Sequence, residues 1–432
     1  MDVSPVGNIV SIGERRRDDG QIFTGIQTFS PEGVSLSYSE TTGLSKEVVA
    51  NYSSVYQSGY SISTHVPTDN SKNYRSLMLG IYTNPYTRYS TVIGGPETEP
   101  SPWSGYVSVV GPSVSKATPE REYIYARGNK AMGASTWMVG TFCDTFQPYA
   151  DYLDQNDPNW GKDVFNHSCP TFGKADCFIL RRDANPNIFF LPVRHQWGGP
   201  ENDLAYDVVS DDIGNATIFL RAGSDFGITS ATQSLVRMKT GYNIVRLDTN
   251  GLLTETFPVS LEATGELTDT QIALGKSGTV YILAKDAVRA QYFLAKVSRS
   301  GTVWIHYFPT GVASTWLPDY GREPRMGLTT DSKENAYVTG IFTGAVNLGD
   351  TTLTTTSSEA FVAKYSAANK CEWAVQMGVG MGVTVRLSPD ETALYVNGWA
   401  SGKIMGTYIP NQNDPRNGVI RPGAFLVKFK LK

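Results

Sequence analysis

From Cys143 to Asp176 the chain reads CDTFQPYADYLDQNDPNWGKDVFNHSCPTFGKAD, interleaving Phe146, Tyr149, Tyr152, Trp160 and Phe172 with Asp144, Asp151, Asp154, Asp157 and Asp163. Aromatic rings give large contact area at small entropic cost, and carboxylates give a contact its direction. The mixture suits a protein interface or a sugar-binding platform. The candidate binding residues are Tyr149, Tyr152, Asp154, Asp157 and Trp160, with Trp103 from a second long segment, residues 83–105. The competing reading is that these rings only pack the segment onto its own sheet.

Within that segment DQNDPNWGKD places oxygen ligands at alternate positions, as calcium loops do. It lacks the sixth-position glycine and the closing glutamate of such a loop, as does NQNDPRNG at 411–418, so no metal is expected. His65, His167, His195 and His306 are the only histidines, and none stands in an HExxH pair. There is no GxSxG elbow, no Walker loop and no dinucleotide glycine fingerprint. SRSGTVW at 298–304 is short of the aspartate that a sialidase-type Asp-box needs. The chain therefore reads as no enzyme, with no catalytic residues and no cofactor. The enzymatic alternative is a glycosidase or lyase whose two carboxylates come from different blades.

Cys143, Cys169, Cys177 and Cys371 lack paired zinc spacings and are too few for a disulfide framework. Reduced thiols are expected, with a Cys143–Cys177 or Cys169–Cys177 bridge left open.

Long loops need a scaffold, and the scaffold is legible as a repeat. Strands carrying a small residue recur at QIFTGIQTF (Gly25), SLMLGIYT (Gly80), TWMVGTF (Gly140), TIFLRAGS (Ala222), TVYILAKD (Ala284), AYVTGIFTG (Gly340) and LYVNGWAS (Gly398). Their steps run from 55 to 62 residues except for one of 82, which must hold the 143–176 insertion. Each is followed by an apolar alternating strand: VVANYS, GYVSVVG, CFILRRD, NIVRLDT, YFLAKVS, AFVAKYS and AFLVKFK. With a preceding strand and an outer fourth, each unit is a four-stranded sheet that cannot bury its faces alone.

The predicted fold is all-β, one β-propeller domain over residues 1–432. Seven blades are favoured, at about 9–62, 63–118, 119–200, 201–263, 264–318, 319–379 and 380–432, with residues 1–7 closing the last blade as its missing strand. Six blades is the alternative count. The AYVTG and AFVAKYS strands and their spacing resemble the SBBP-type bacterial β-propeller repeats, most closely over 328–378 and further over 201–310 and 380–432. That resemblance implies a fold and an extracellular or envelope setting. It brings no shared catalytic residues.

Charged residues are only 18%, and the net charge is -4, so no basic field exists to hold nucleic acid. No stretch approaches the roughly 18 apolar residues of a membrane span, and MDVSPVGNIV lacks the apolar run of a cleavable signal peptide. The expected function is a non-catalytic structural or attachment protein, docking to other subunits of a large assembly or to a cell-surface glycan or receptor. Its expected place is a virion, as a tail, fibre or capsid-attached component, or the cell exterior. The alternative is an exported glycan-binding propeller.

Overall fold

The computed structural model describes residues 1–3, 7–16, 22–41, 57–65, 75–82, 90–94, 106–107, 125–132, 135–142, 145–146, 169–170, 172, 176–183, 193–211, 213–229, 235–263, 267–312, 326–409, 412–413, 420–421 and 423–431. Among these residues there is no helix. The strands form five four-stranded sheets, one seven-stranded sheet and three two-stranded pairs. The chain is an all-β protein of the propeller class, as the repeat predicts.

Contacts gather into two compact units. One unit holds residues 47–260, with Asp2–Pro5. Its sheets are Gln57–His65 to Tyr106–Val107, Tyr125–Met132 to Val193–Trp197, and Leu204–Ser210 to Leu253–Val259. The other holds Met1, Val6–Lys46 and Leu261–Lys432. It contains the sheet Ile9–Arg16, Ile22–Phe29 and Ser35–Thr41, the sheet Leu267–Leu274 to Gly301–Tyr307, and the seven-stranded sheet from Gly327–Thr330 to Gly423–Lys430. Every four-stranded sheet is a meander whose spatial order is its chain order.

Burial falls from the inner strands outward. Ala216–Ala222 and Val280–Asp286 are each buried at every position but one, and the third strands Gly241–Leu247 and Gln291–Ser298 nearly so. A strand buried on both faces needs cover on both. The fourth strands are different: Leu253–Val259 alternates, and Gly301–Tyr307 is half-exposed throughout. This gradient is the packing signature of blades.

The tight turns share one device. In Asp211–Asn215 the aspartate Oδ1 accepts from the amides of Ile213 and Asn215, and the Gly214 amide closes on the Asp211 carbonyl. Asp248 and Asp331 repeat the pattern. The fourth residue must take positive φ, +92° at Gly214 but +62° at Glu334. For glutamate that left-handed backbone costs about 1–3 kcal/mol, so its side chain must return something.

It does, through the neighbouring sheet. Tyr281 and Lys296 face each other across two strands and both reach Glu334, the hydroxyl to its carbonyl at 2.5 Å and the ammonium to its carboxylate at 2.7 Å. In the 47–260 unit Trp137 Nε1 donates to the Gly214 carbonyl at 2.9 Å, the same position of the equivalent turn. Tyr395 and Lys428, again cross-strand partners, both donate to the Pro31 carbonyl, at 3.2 and 2.7 Å. The cation sits over the ring in each cross-strand pair, at 5.4 Å for Lys296 on Tyr281, 5.7 Å for Lys428 on Tyr395 and 5.9 Å for Arg181 on Trp137.

Several sequence expectations shift. Ile22–Phe29 pairs with Ser35–Thr41 rather than with VVANYS, which lies outside the described residues. Arg75–Tyr82 pairs with Ser90–Gly94, and the described residues of GYVSVVG, Tyr106–Val107, form the fourth strand. In both, the nearer segment wins because a shorter loop costs less entropy to close. Asp2–Val3 stands at the end of the first sheet's strand order, not in the last sheet that residues 1–7 were expected to complete. Gly7, at φ +86°, permits the tight reversal that such local pairing needs. The strands from Gly327–Thr330 to Thr407–Tyr408, with Gly423–Lys430, form one continuous sheet because Cys371–Leu387 pairs through its first half with Thr351–Tyr365 and through its second with Ala393–Ile404.

Candidate functional site

In the 47–260 unit three links meet at two buried carboxylates. The first is the 143–175 insertion, which joins Ser135–Phe142 to Asp176–Asp183 and is pinched near its base by pairing of Thr145–Phe146 with Cys169–Pro170. The second runs from Trp197 to Leu204, between two sheets. The third runs from Ala222 to Gly241 and carries the hairpin Phe226–Thr229 and Leu235–Met238.

Asp176 opens its strand and is fully buried. Its Oδ2 accepts from the Phe172 amide at 2.8 Å and from Gln196 Nε2 at 2.6 Å, while Oδ1 has no hydrogen-bond partner among the described residues. That free oxygen lies against Gly198, where a Cβ would come within 2.1 Å of it. Burial raises the carboxyl above its ordinary value, and the two donors only partly offset it.

Asp203, also fully buried, takes the Gly199 amide on Oδ2 at 2.7 Å and the Gly223 amide on Oδ1 at 2.9 Å. Burial pushes its pKa up to about 6, with the nearby Asp176 charge adding to the rise and the two amides and Arg221 opposing it. Asp203 thereby ties the second link to the third. Asp225 closes the third link, accepting from Thr240 N and Oγ1 at 2.8 Å each and pairing with Lys239 and Arg237 at 3.2 Å; the Thr240 bonds, then Lys239, hold it down to about 2.

Cys177 is a free, buried thiol, so neither proposed bridge forms. Burial, then the charges of Asp203 and Asp176, raise it well above the ordinary thiol range. It is no thiolate nucleophile. His306 packs against Phe308 and Tyr365 with its pKa lowered by burial, as a core histidine does. Among the described residues no cluster of three or more His, Cys, Asp or Glu is placed to hold a metal ion, and no helix is long and apolar enough to cross a membrane.

Chemically, the two aspartates act here as latches: each accepts backbone amides from segments it must hold. Acid–base chemistry on a glycoside needs carboxylates that substrate can reach, and these are sealed. What the latches present outward is apolar. Phe172, whose amide is clamped by Asp176, is 66% exposed, and Leu235 on the third link is 77% exposed.

Trp103, Tyr149, Tyr152, Asp154, Asp157 and Trp160 lie outside the described residues. The site brings together Asp176, Gln196, Gly198, Gly199 and Asp203, none of which the sequence reading assigned a role. The available signal was an aspartate set directly before an apolar strand, as in DCFIL and DLAYDVV, flanking the GlyGly of WGGPEN.

No family model matches the chain, and no curated protein matches it. Among solved structures it is similar to the Cps50 (Swd1) β-propeller domain of Myceliophteria thermophila, at 10% identity over 91% of this chain and 96% of that one, with a TM-score of 0.39. It is similar to a protein from Lactobacillus plantarum at 9% identity over 98% of each chain, TM-score 0.38. It is also similar to a GH43 β-1,3-galactosidase solved with galactodeoxynojirimycin, at 9% identity over 71% of this chain and 98% of that one, TM-score 0.28.

Proposed function

We propose that this chain is a non-catalytic attachment protein, a stack of blades whose elaborated links dock to other protein subunits of a large assembly. The observation that carries the reading is the mounting of Phe172: a mostly exposed aromatic ring whose own backbone is clamped to a buried carboxylate. A rigidly held ring enters an interface with little ordering cost, which is what an anchor residue requires. Leu235, 77% exposed, adds a second apolar side chain. The proposed setting is a virion, in a tail, fibre or capsid-attached position, or the cell exterior.

The test is the mass of the native particle, measured by light scattering after gentle purification from the source. The expected result is an assembly many times the 47.2 kDa of the chain, from which Phe172→Ala and Trp160→Ala variants drop out while staying folded. A free monomer that binds polysaccharide would overturn the proposal in favour of a glycan-binding module. Turnover of a labelled glycan would overturn it in favour of an enzyme.

A further inference from the structure

The strand Gly423–Lys430 is paired along its whole length to Ala393–Ala400 on one side, and among the described residues no strand pairs with its other side. Counted from the second half of Cys371–Leu387, it is the third strand of its blade. The third strands of the two blades that precede it in the chain are core. Phe361, Val362, Ala363 and Tyr365 are fully buried, and Phe293, Leu294, Ala295 and Val297 essentially so. In the equivalent AFLVKFK run only Phe425 is buried, while Leu426, Val427 and Phe429 are half-exposed. The sequence retains the apolar side chains of a strand flanked on both sides, but among the described residues one flank carries no strand.

We infer that the open edge of Gly423–Lys430 is a strand-addition site, and that its occupant is an extended, acidic segment of a partner protein. Free backbone amides and carbonyls along such an edge pair with an added strand, and alternate side chains set the specificity. Val427, Phe429 and Leu431 already rest on the apolar cluster around Leu394 and Val396, and an added strand would complete that cover. Lys430 is exposed on the same strand, and Lys428, exposed beside it, keeps its positive charge while donating to the Pro31 carbonyl. A second copy of this chain, pairing edge to edge, would set those lysines against their own counterparts, and like charges facing across strands are unfavourable. A segment alternating apolar residues with Asp or Glu meets both the half-buried row and the lysines.

This inference shares with the proposed function only the premise of a protein partner, and the experiment separates the two. Amide hydrogen exchange over 423–430 is followed in the full chain with two synthetic probes, an eight-residue peptide alternating valine with glutamate and one alternating valine with lysine. The glutamate peptide is expected to slow exchange of the outward-facing amides by on the order of tenfold at saturation, and the lysine peptide to leave it unchanged. The variant Lys430→Glu, which leaves the Lys428–Pro31 bond in place, should weaken the binding of the glutamate peptide, while Phe172→Ala and Trp160→Ala should leave it intact. The inference is overturned if neither peptide slows exchange, if both do so equally in the parent chain, or if those amides are already protected in the free chain. Should the peptides fail while the Phe172 and Trp160 variants still leave the native particle, the edge site falls and the docking function stands.

Discussion

Tyr281 donates its hydroxyl hydrogen to the backbone carbonyl of Glu334 at 2.5 Å, although the two residues belong to different sheets and lie 53 positions apart. The same Glu334 accepts from Lys296, Thr279 and Ser277, so one turn residue collects four side chains of the preceding sheet. That explains why a glutamate tolerates positive φ here, and why its equivalent Gly214, which receives from the neighbouring sheet one bond, Trp137 to its carbonyl, is glycine. Removing the Tyr281 hydroxyl should therefore weaken the joint between sheets without disturbing either sheet. Tyr281→Phe is expected to cost about 1 kcal/mol and Lys296→Met about 1.5–3 kcal/mol, since the latter takes a bond from a charged group. Urea unfolding of both variants checks the order, and equal costs would mean that the carboxylate finds another donor.

Stability should pass through a maximum in mildly acid solution. Glu334 is held down to about 2 against an ordinary 4.5, by Lys296 and Ser277 in the face of desolvation, so its contribution is present above the ordinary value and lost as pH falls toward 2. Asp203 is raised to about 6 from 3.8, so its contribution is full below the ordinary value and lost as pH rises through about 6. Urea midpoints measured across that range should rise and then fall. Glu334→Gln should flatten the acid limb, and Asp203→Asn the limb between about 4 and 6; a parent curve that is level between those two values would refute the assignment to Asp203.

Gly198 has no room for a side chain, because Asp176 Oδ1 occupies the place of its Cβ. Gly198→Ala is expected to cost about 1–3 kcal/mol through overpacking and to release the Phe172 clamp. Faster proteolysis within 143–175 would report that release, and an unchanged cleavage rate with unchanged stability would show that the link has another anchor.

Cys177 and Cys371 are both buried with thiol pKa values raised, chiefly by desolvation. Neither should react with a thiol reagent in the native protein, and both should do so once urea has unfolded it. Labelling of Cys177 at native conditions would place the carboxylate pair in contact with solvent and reopen an enzymatic role for it.

Phe172→Ala should leave the urea midpoint nearly where it is, within about 0.5 kcal/mol, because an exposed ring carries little of the core. Its effect belongs to association, read as loss from the native particle. A variant that unfolds instead would show the ring to be part of the scaffold.

Much of this protein follows from local rules that the sequence states outright. Alternating apolar strands such as AFVAKYS, Asp-led turns such as DTNG and DSKEN, and the single long step that locates the 143–175 insertion are each short-range patterns, so the repeated sheet, its turns and its principal elaboration are legible before any folding. Tertiary structure decided the rest. Asp176 and Asp203 stand 27 positions apart in unremarkable contexts, and only the meeting of three links removes water from both, sets them against each other and aims backbone amides at their oxygens. The edge of Gly423–Lys430 is likewise invisible in AFLVKFK, which reads like the third strands that are buried. Periodicity records which side chains a strand turns to each face, but burial and an open flank depend on what lies beside that strand, and its own residues do not encode that.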